Sequence, residues 1–304
     1  MSKSKVTVVG SINMDLVTET PRVPRLGETL IGTRFSTVPG GKGANQAVAC
    51  ARLGADVTMV GCVGGDGFGQ ELIDNLSREN VHTRFVERID DVSTGIAVIT
   101  IANSDNSIIV VPGANHHLTP DSVRRAEEAI EMADIVLLQL EIPLETVRET
   151  VTIAHRHGVP VILNPAPAAQ LPQDLLDQVT VLTPNEHELA VISGEQADRV
   201  EGFTQLIQAF AGEIVMTKGS EGVYYKDDKQ VVHVPSFAVE VVDTTGAGDS
   251  FNAGLAVKLS QGTSLREAVR YAVAVGALSV TKFGAQGGMP TEKDVAAFLR
   301  DKSY

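Results

Sequence analysis

At 304 residues the chain is long enough for one large α/β domain or two smaller ones, and 43% apolar with 21% charged residues is an ordinary globular composition. A net charge of −13 argues against a nucleic-acid binder, and no apolar run has the length of a signal peptide or membrane span. Two cysteines, Cys50 and Cys62, are too few for a disulfide framework or a metal cluster, so reduced core thiols in a cytoplasmic protein are expected.

Val6–Gly10 reads as a first strand, followed by Ser11–Asp15 (SINMD). If the extended geometry continues, Asn13 and Asp15 share a face at period two and can reach one polar ligand. A turn in which both satisfy their own backbone is the alternative. Residues 16–38 carry short β-like pieces, LVTET and ETLIGTRFSTV, around the Pro-marked PRVPRLG. Pro39–Asn45 (PGGKGAN) then opens a helix expected from about Ala44 to Gly54. This start is neither a Walker A loop nor a dinucleotide fingerprint, which leaves a ligand loop and a plain tight turn equally open. Asp56–Val63 is the next strand and Gln70–Ser77 a helix. Thr94–Ile101 and Ser107–Val111 read as strands around the turn ANSDN, and with 16–38 they can form a separate small sheet.

From Pro120 the rhythm is regular: helix 120–132, strand 134–140, helix 144–157, strand 159–163. Such alternation implies a parallel sheet with helices on both faces, and ligands bind beyond the carboxyl ends of such strands. Polar residues collect there: Glu141, Asn164, Asn185, Lys218, and Asp243 with Asp249. Five strand ends of this kind favour one shared cleft. The segment TKGSEG (217–222) suits wrapping a phosphate or ribose edge, with an ordinary turn as the alternative; strands VYYK and KQVVHVPS follow it. His116, His117, His155 and His157 read as surface residues without zinc-site spacing.

Val239–Asn252, VEVVDTTGAGDSFN, is the most informative stretch. Val239–Val242 reads as a buried strand ended by Asp243, Thr244–Gly248 as a turn, and Asp249 as the opening of a helix. Strand, glycine turn and helix start together make an anion site, and Gly246 and Gly248 let the backbone approach a phosphate. A carboxylate beside an anion site suits a base that takes a proton from an attacking hydroxyl. Plain helix capping by Asp249 is the competing reading. A helix over 264–282, the glycine turn GAQGGMP (284–290) and a terminal helix Glu292–Asp301 complete the chain.

Taken in order, GSINMD (10–15), PGGKGANQA (39–47), QLEIP (139–143), LNPAPA (163–168), TPNEHE (183–188), TKGSEG (217–222), DTTGAGDSF (243–251) and FGAQGGMP (283–290) resemble the phosphofructokinase-B-type family of carbohydrate kinases from end to end. The resemblance implies one α/β domain over 1–304: a three-layer fold with a largely parallel central sheet and a small β-sheet lid from about 14–39 and 93–112. It also implies a homodimer through paired lids. It assigns the sugar to Asn13, Asp15, Gly41, Lys42, Gly43, Asn45 and Glu141, the catalytic base to Asp249, and an anion hole to Gly246, Ala247 and Gly248. ATP falls to Asn185, Glu188, Thr217, Lys218, Gly219, Ser220, Glu221, Gly222, Gly248 and Val273. Asn185 and Glu188 form an N-x-x-E pair linked to Mg²⁺. K⁺ falls to Asp243, Thr245, Ser279, Lys282, Gly284 and Gly288. Two positions depart from the pattern: Val273 stands where relatives often carry Asn or His, and Gly288 where some carry Ser. The implied reaction is ATP-dependent phosphorylation of D-ribose at its 5-hydroxyl. The alternatives are a kinase for 2-deoxyribose, fructose or adenosine, or a non-catalytic sugar-binding regulator, against which the intact GAGD argues.

Overall fold

A computed structural model describes residues 3–103, 105–194, 202–227 and 230–302. Ser104 of the expected ANSDN turn and Lys229, at the head of the expected strand KQVVHVPS, lie outside them. In chain order the first elements are β1 (Lys5–Val9), β2 (Asn13–Glu19), β3 (Arg34–Gly40), α1 (Lys42–Arg52), β4 (Asp56–Gly64), α2 (Gly67–Arg78), β5 (Val81–Ile89), β6 (Gly95–Ala102) and β7 (Asp105–Val111). Next come α3 (Pro120–Arg125), α4 (Glu127–Glu131), β8 (Ile135–Leu138), α5 (Leu144–Arg156), β9 (Val161–Leu163), α6 (Gln173–Leu176), β10 (Val181–Leu182) and α7 (Glu186–Ile192). The last are α8 (Phe203–Ala209), β11 (Glu213–Thr217), β12 (Val223–Asp227), β13 (Gln230–Val234), α9 (Ala247–Ser260), α10 (Leu265–Ser279), α11 (Ala285–Gly288) and α12 (Glu292–Asp301).

The larger sheet has the order β13-β12-β11-β10-β9-β8-β1-β4-β5. It is parallel from β5 through β11 and antiparallel at the two joints of the β11-β12-β13 edge. Its central strands are unbroken apolar runs, such as IVLL in β8, because both faces are covered. Val8, Met59 and Ile162 face a core shared with α1, α9 and α10, while Val9, Val136 and Leu138 face a second core shared with α5. The chain turns from β1 toward β4 on one side and β8 on the other, so the carboxyl end of β1 is the switch point where a crevice opens.

The smaller sheet, β3-β2-β6-β7, rises from that point: β2 begins only three residues after β1 ends. Its pattern has period two, with Val17, Ala97 and Ile99 turned inward and Val98 and Ile109 left exposed.

Several local expectations are corrected. Val239–Val242 is neither a strand nor buried: Val241 and Val242 are 60% and 56% exposed. The β12-β13 hairpin already fills that sheet edge, and the N–H groups of Val242 and Asp243 donate instead to the carbonyl of Val280 at the end of α10. Asp243 therefore follows no strand, and four strand ends carry polar residues where five were expected. The 120–132 helix breaks at Ala126 (ψ 9°), α1 starts at Lys42 and not at Ala44, α10 stops at Ser279, and GAQGGMP contains the short α11. The unanticipated β5 is an edge strand whose alternating charged residues mask its pattern. His157 is half-buried against Glu127 (2.7 Å), whereas His116, His117 and His155 are exposed as expected. Cys50 and Cys62 are buried and unpaired.

Candidate active site

The site begins where α1 meets the β1–β2 turn. Gly41 precedes α1 with φ 88°, and a Cβ there would lie 2.7 Å from the amide nitrogen of Asn13. A Cβ on Gly43 would lie 2.6 Å from the backbone of Gly10 and Ser11. Only glycine permits this approach, which lets the Ala44 N–H donate to the Ser11 carbonyl (2.9 Å). Gly43→Ala is expected to cost about 1–3 kcal/mol by overpacking, read as a lower urea midpoint; an unchanged midpoint would mean the helix can retreat freely.

Around this contact the polar side chains form one connected set. Asn13, 3% exposed, accepts from Asn115 Nδ2 (2.7 Å), and Asn115 Oδ1 in turn accepts from the Ile12 N–H (2.9 Å). Asn13 Oδ1 is thereby fixed, and its own amide N–H₂ has no partner among the described residues. Glu141 Oε2 accepts from Ser11 Oγ (2.5 Å) and from the Lys42 N–H (3.2 Å). The Gly43 N–H is engaged by Ser11 Oγ (3.3 Å), so Gly43 serves close packing as well as any ligand. Asp15 lies against Gly40; burial first, then the charges of Glu141 and Asp249, push its carboxyl up to about 7.

Asp249 is the third residue of α9. The helix cap is Gly246 (φ 74°), and the Asp249 carboxylate makes no cap bond, which removes the capping reading. Its oxygens accept instead from Asn45 Nδ2 and Gln46 Nε2, both at 3.0 Å. Gln139 Nε2 donates to Gln46 Oε1 (2.5 Å), and Gln286 Nε2 donates to Asn45 Oδ1 (3.2 Å), so both clamping amides are themselves held. Burial pushes the Asp249 carboxyl up, against the pull of the Lys42 ammonium and the two amides; Glu141 adds to the rise. Lys42 faces Asp249, Glu141 and Glu188, whose charges outweigh burial and hold its ammonium above the usual range. The N–H groups of Gly248 and Asp249 have no acceptor among the described residues, and the space beside Gly248 is open. They form a small donor cradle at the positive end of α9.

On the other side of α9 lies a cleft of about 640 Å³. Val223, Phe237, Val241, Phe251 and Val273 give it apolar walls, which accounts for the exposure of Val241. Thr217, Gly219, Ser220, Gly222, Ala247 and Gly248 line its polar end. Lys218 and Glu221 do not line it: they pair with each other (Nζ–Oε2 3.1 Å), and the Lys218 ammonium stands 4.9 Å over the Phe203 ring. Asn185 and Glu188 are also outside its lining and form the reciprocal cap of α7, with both N–H···O contacts at 2.8 Å. Burial raises the Glu188 carboxyl, opposed by the Asn185 N–H and by Lys42.

The residues expected to hold K⁺ lie near one another, joined by the Gly288 N–H donating to the Gly284 carbonyl (2.8 Å). Asp243 accepts from the Thr245 N–H (2.9 Å), Thr245 Oγ1 (2.7 Å) and the Gly284 N–H (2.8 Å), which hold its carboxyl low despite burial. Any Cβ on Gly288 would collide with the Ser279 carbonyl, and the Lys282 carbonyl lies close by. The Ser279 hydroxyl donates to the Gly276 carbonyl (2.8 Å), which fixes its proton and leaves both its oxygen and the Ser279 carbonyl as oxygen ligands. Among the described residues no cluster of three His, Cys, Asp or Glu side chains could hold a metal. Sequence reasoning missed Ser11, Gln46, Asn115, Gln139 and Gln286, although all but Asn115 lie within quoted motifs; each has a side-chain partner 93 or more residues away.

Comparison with known proteins adds an independent finding. The profile of the "pfkB family carbohydrate kinase" group matches residues 3–292. The ribokinase of Bacillus subtilis is 48% identical over 294 residues, covering 97% of this chain and 99% of its own. A deoxyribokinase of Salmonella typhi is 38% identical over 300 residues, covering 97% and 98%. The solved structure of Arabidopsis thaliana ribokinase complexed with ribose and ATP superposes with a TM-score of 0.91 at 35% identity, covering 99% of both chains.

Proposed function

The chain belongs to the pfkB family of carbohydrate kinases, and from that premise we propose that it transfers the γ-phosphoryl group of ATP to the 5-hydroxyl of D-ribose. The observation that carries this reading is the position of Asp249. It is clamped by the α1 amides on the sugar side, while its neighbours Ala247 and Gly248 line the cleft on the other. A hydroxyl at that junction can pass its proton to Asp249 as its oxygen bonds the γ-phosphorus and the bond to the ADP oxygen breaks. The open N–H groups of Gly248 and Asp249 suit the charge that develops on the phosphoryl oxygens.

The apolar cleft around Val273 suits an adenine ring held by contact, without an Asn or His partner. With no carboxylate cage among the described residues, Mg²⁺ would be held mainly by ATP phosphate oxygens, with Glu188 as the protein carboxylate to help hold it, and would supply charge neutralisation. One carboxylate, Asp243, and the carbonyls of Ser279, Lys282 and their neighbours suit a monovalent cation such as K⁺. The oriented, unpartnered amide of Asn13 favours ribose over 2-deoxyribose, because burying it without a hydroxyl partner costs about 1–3 kcal/mol.

ADP release with Mg-ATP and K⁺ on D-ribose, 2-deoxyribose, fructose and adenosine tests the reading. Preference for ribose supports it. Turnover of another substrate alone overturns the pocket assignment, and no ADP with any of them favours a sugar-binding regulator.

We read 1–304 as one domain in the cytoplasm, where ATP is supplied, and as a homodimer through the lid. Val98 and its cross-strand partner Ile109 expose apolar side chains on the outer face of the lid, of the kind that a second lid would cover. Ile109→Glu is expected to give a monomer by light scattering; an unchanged mass would refute lid pairing.

A further inference from the structure

A second cavity, of about 570 Å³, lies between the β12–β13 hairpin, the end of α9 and α10. It shares only Phe237 with the cleft beside α9, and none of its lining belongs to the sugar, phosphoryl or cation groups above. Val232, Val234, Pro235 and Leu299 give it an apolar wall. Its lining also includes Lys258, Arg266 and Arg270, against one carboxylate, Glu267. That carboxylate is already engaged by the Ser264 hydroxyl (2.8 Å) and N–H (3.3 Å) in the cap of α10. Lys258 stands 4.6 Å over the Tyr271 ring and bonds the amide oxygen of Gln261 (3.1 Å). Neither Lys258 nor Arg266 pairs with a carboxylate among the described residues, in a chain whose net charge is −13.

The second observation is Tyr225. It lines the cavity and is 1% exposed, and its hydroxyl has no hydrogen-bond partner among the described residues. A buried hydroxyl without a partner opposes folding. A ligand oxygen would remove that cost. Asp227, Arg266 and Arg270 are all close enough to act electrostatically on the same hydroxyl, two cations against one carboxylate.

We propose that this cavity is a second small-molecule site, taking a phosphomonoester carried on a flat aromatic body. The excess of cations over carboxylates matches a dianionic head. The apolar wall offers nothing to pair with the hydroxyls of a bare sugar, but it covers a ring. The volume is that of an ordinary ligand pocket, about 300–1,000 Å³.

Calorimetric titration of the full chain with 1-naphthyl phosphate tests this, with 1-naphthol and inorganic phosphate as controls. Binding is expected in the wild type. It should weaken about tenfold or more in Lys258→Gln/Arg266→Gln and severalfold in Tyr225→Phe, with the melting temperature held in both. Each control should bind at least about tenfold more weakly than the ester. Absence of binding at millimolar ester, or equal affinity in the wild type and the double variant, overturns the proposal, as does 1-naphthol binding as tightly as its phosphate. No sugar or ATP is present, so the outcome is separate from that of the kinase assay.

Discussion

Asp249→Asn is expected to lower kcat by about 10²–10⁴-fold, the span of a positioned base, while ATP affinity by calorimetry stays within about threefold. The carboxylate is 7% exposed and sits where the sugar-side amides meet the cleft, held by Asn45 and Gln46. Asparagine keeps the shape but turns an N–H₂ toward Asn45 or Gln46, one of which must then flip. Against that stands a gain. Burial raises this carboxyl, so above its ordinary pKa its ionisation opposes folding, and the neutral amide removes that opposition. The variant should therefore melt no lower than the wild type at pH 8. Near-normal ADP release would remove Asp249 from the role.

Asp15→Asn should raise KM for ribose about 10–100-fold, the loss of a hydrogen bond to a charged group, and at the same time stabilise the free protein at alkaline pH. Burial, then Glu141 and Asp249, bring the Asp15 carboxyl up to about 7, from 3.8 in the unfolded chain. Between those values the folded protein keeps a proton that the unfolded chain has released. Stability therefore falls as pH rises through the window, and the full cost is present above about 7. Asparagine flattens that slope, which melting curves at pH 5 and pH 8 will read. The opposite trend governs the sugar: protonation removes an acceptor, so the wild-type KM should climb as pH drops from 8 to 6 while that of the variant stays flat. A wild-type KM that ignores pH across this range would sink the assignment.

Much of this was legible where chemistry is local. The βα alternation from Pro120 to Leu163 gave the parallel sheet, the period-two spacing of Asn13 and Asp15 survived as β2, and GAGD marked the start of α9. The strand signals in 16–38, 94–101 and 107–111 already separated the small sheet, and the resemblance named it a lid. Local propensity misled at Val239–Val242, because whether a β-branched run joins a sheet depends on whether an edge is free. It was silent on the clamp around Asp249: Gln46 is 203 positions from Asp249, and Gln286 is 241 from Asn45. No window along the chain contains both partners.

Between the last residue of β3 and the first of α1 stands Gly41 alone. Its backbone is pressed on the Asn13 nitrogen, so the junction has no room for slack. A one-residue insertion there would have to be absorbed by turning α1 about 100°, swinging Asn45 and Gln46 off the carboxylate they hold. The 20–33 stretch, exposed at Leu26 and Ile31, imposes no such gearing. Length variation during divergence, or loop grafting in the laboratory, should therefore be tolerated at the outer rim of the lid and forbidden at its root.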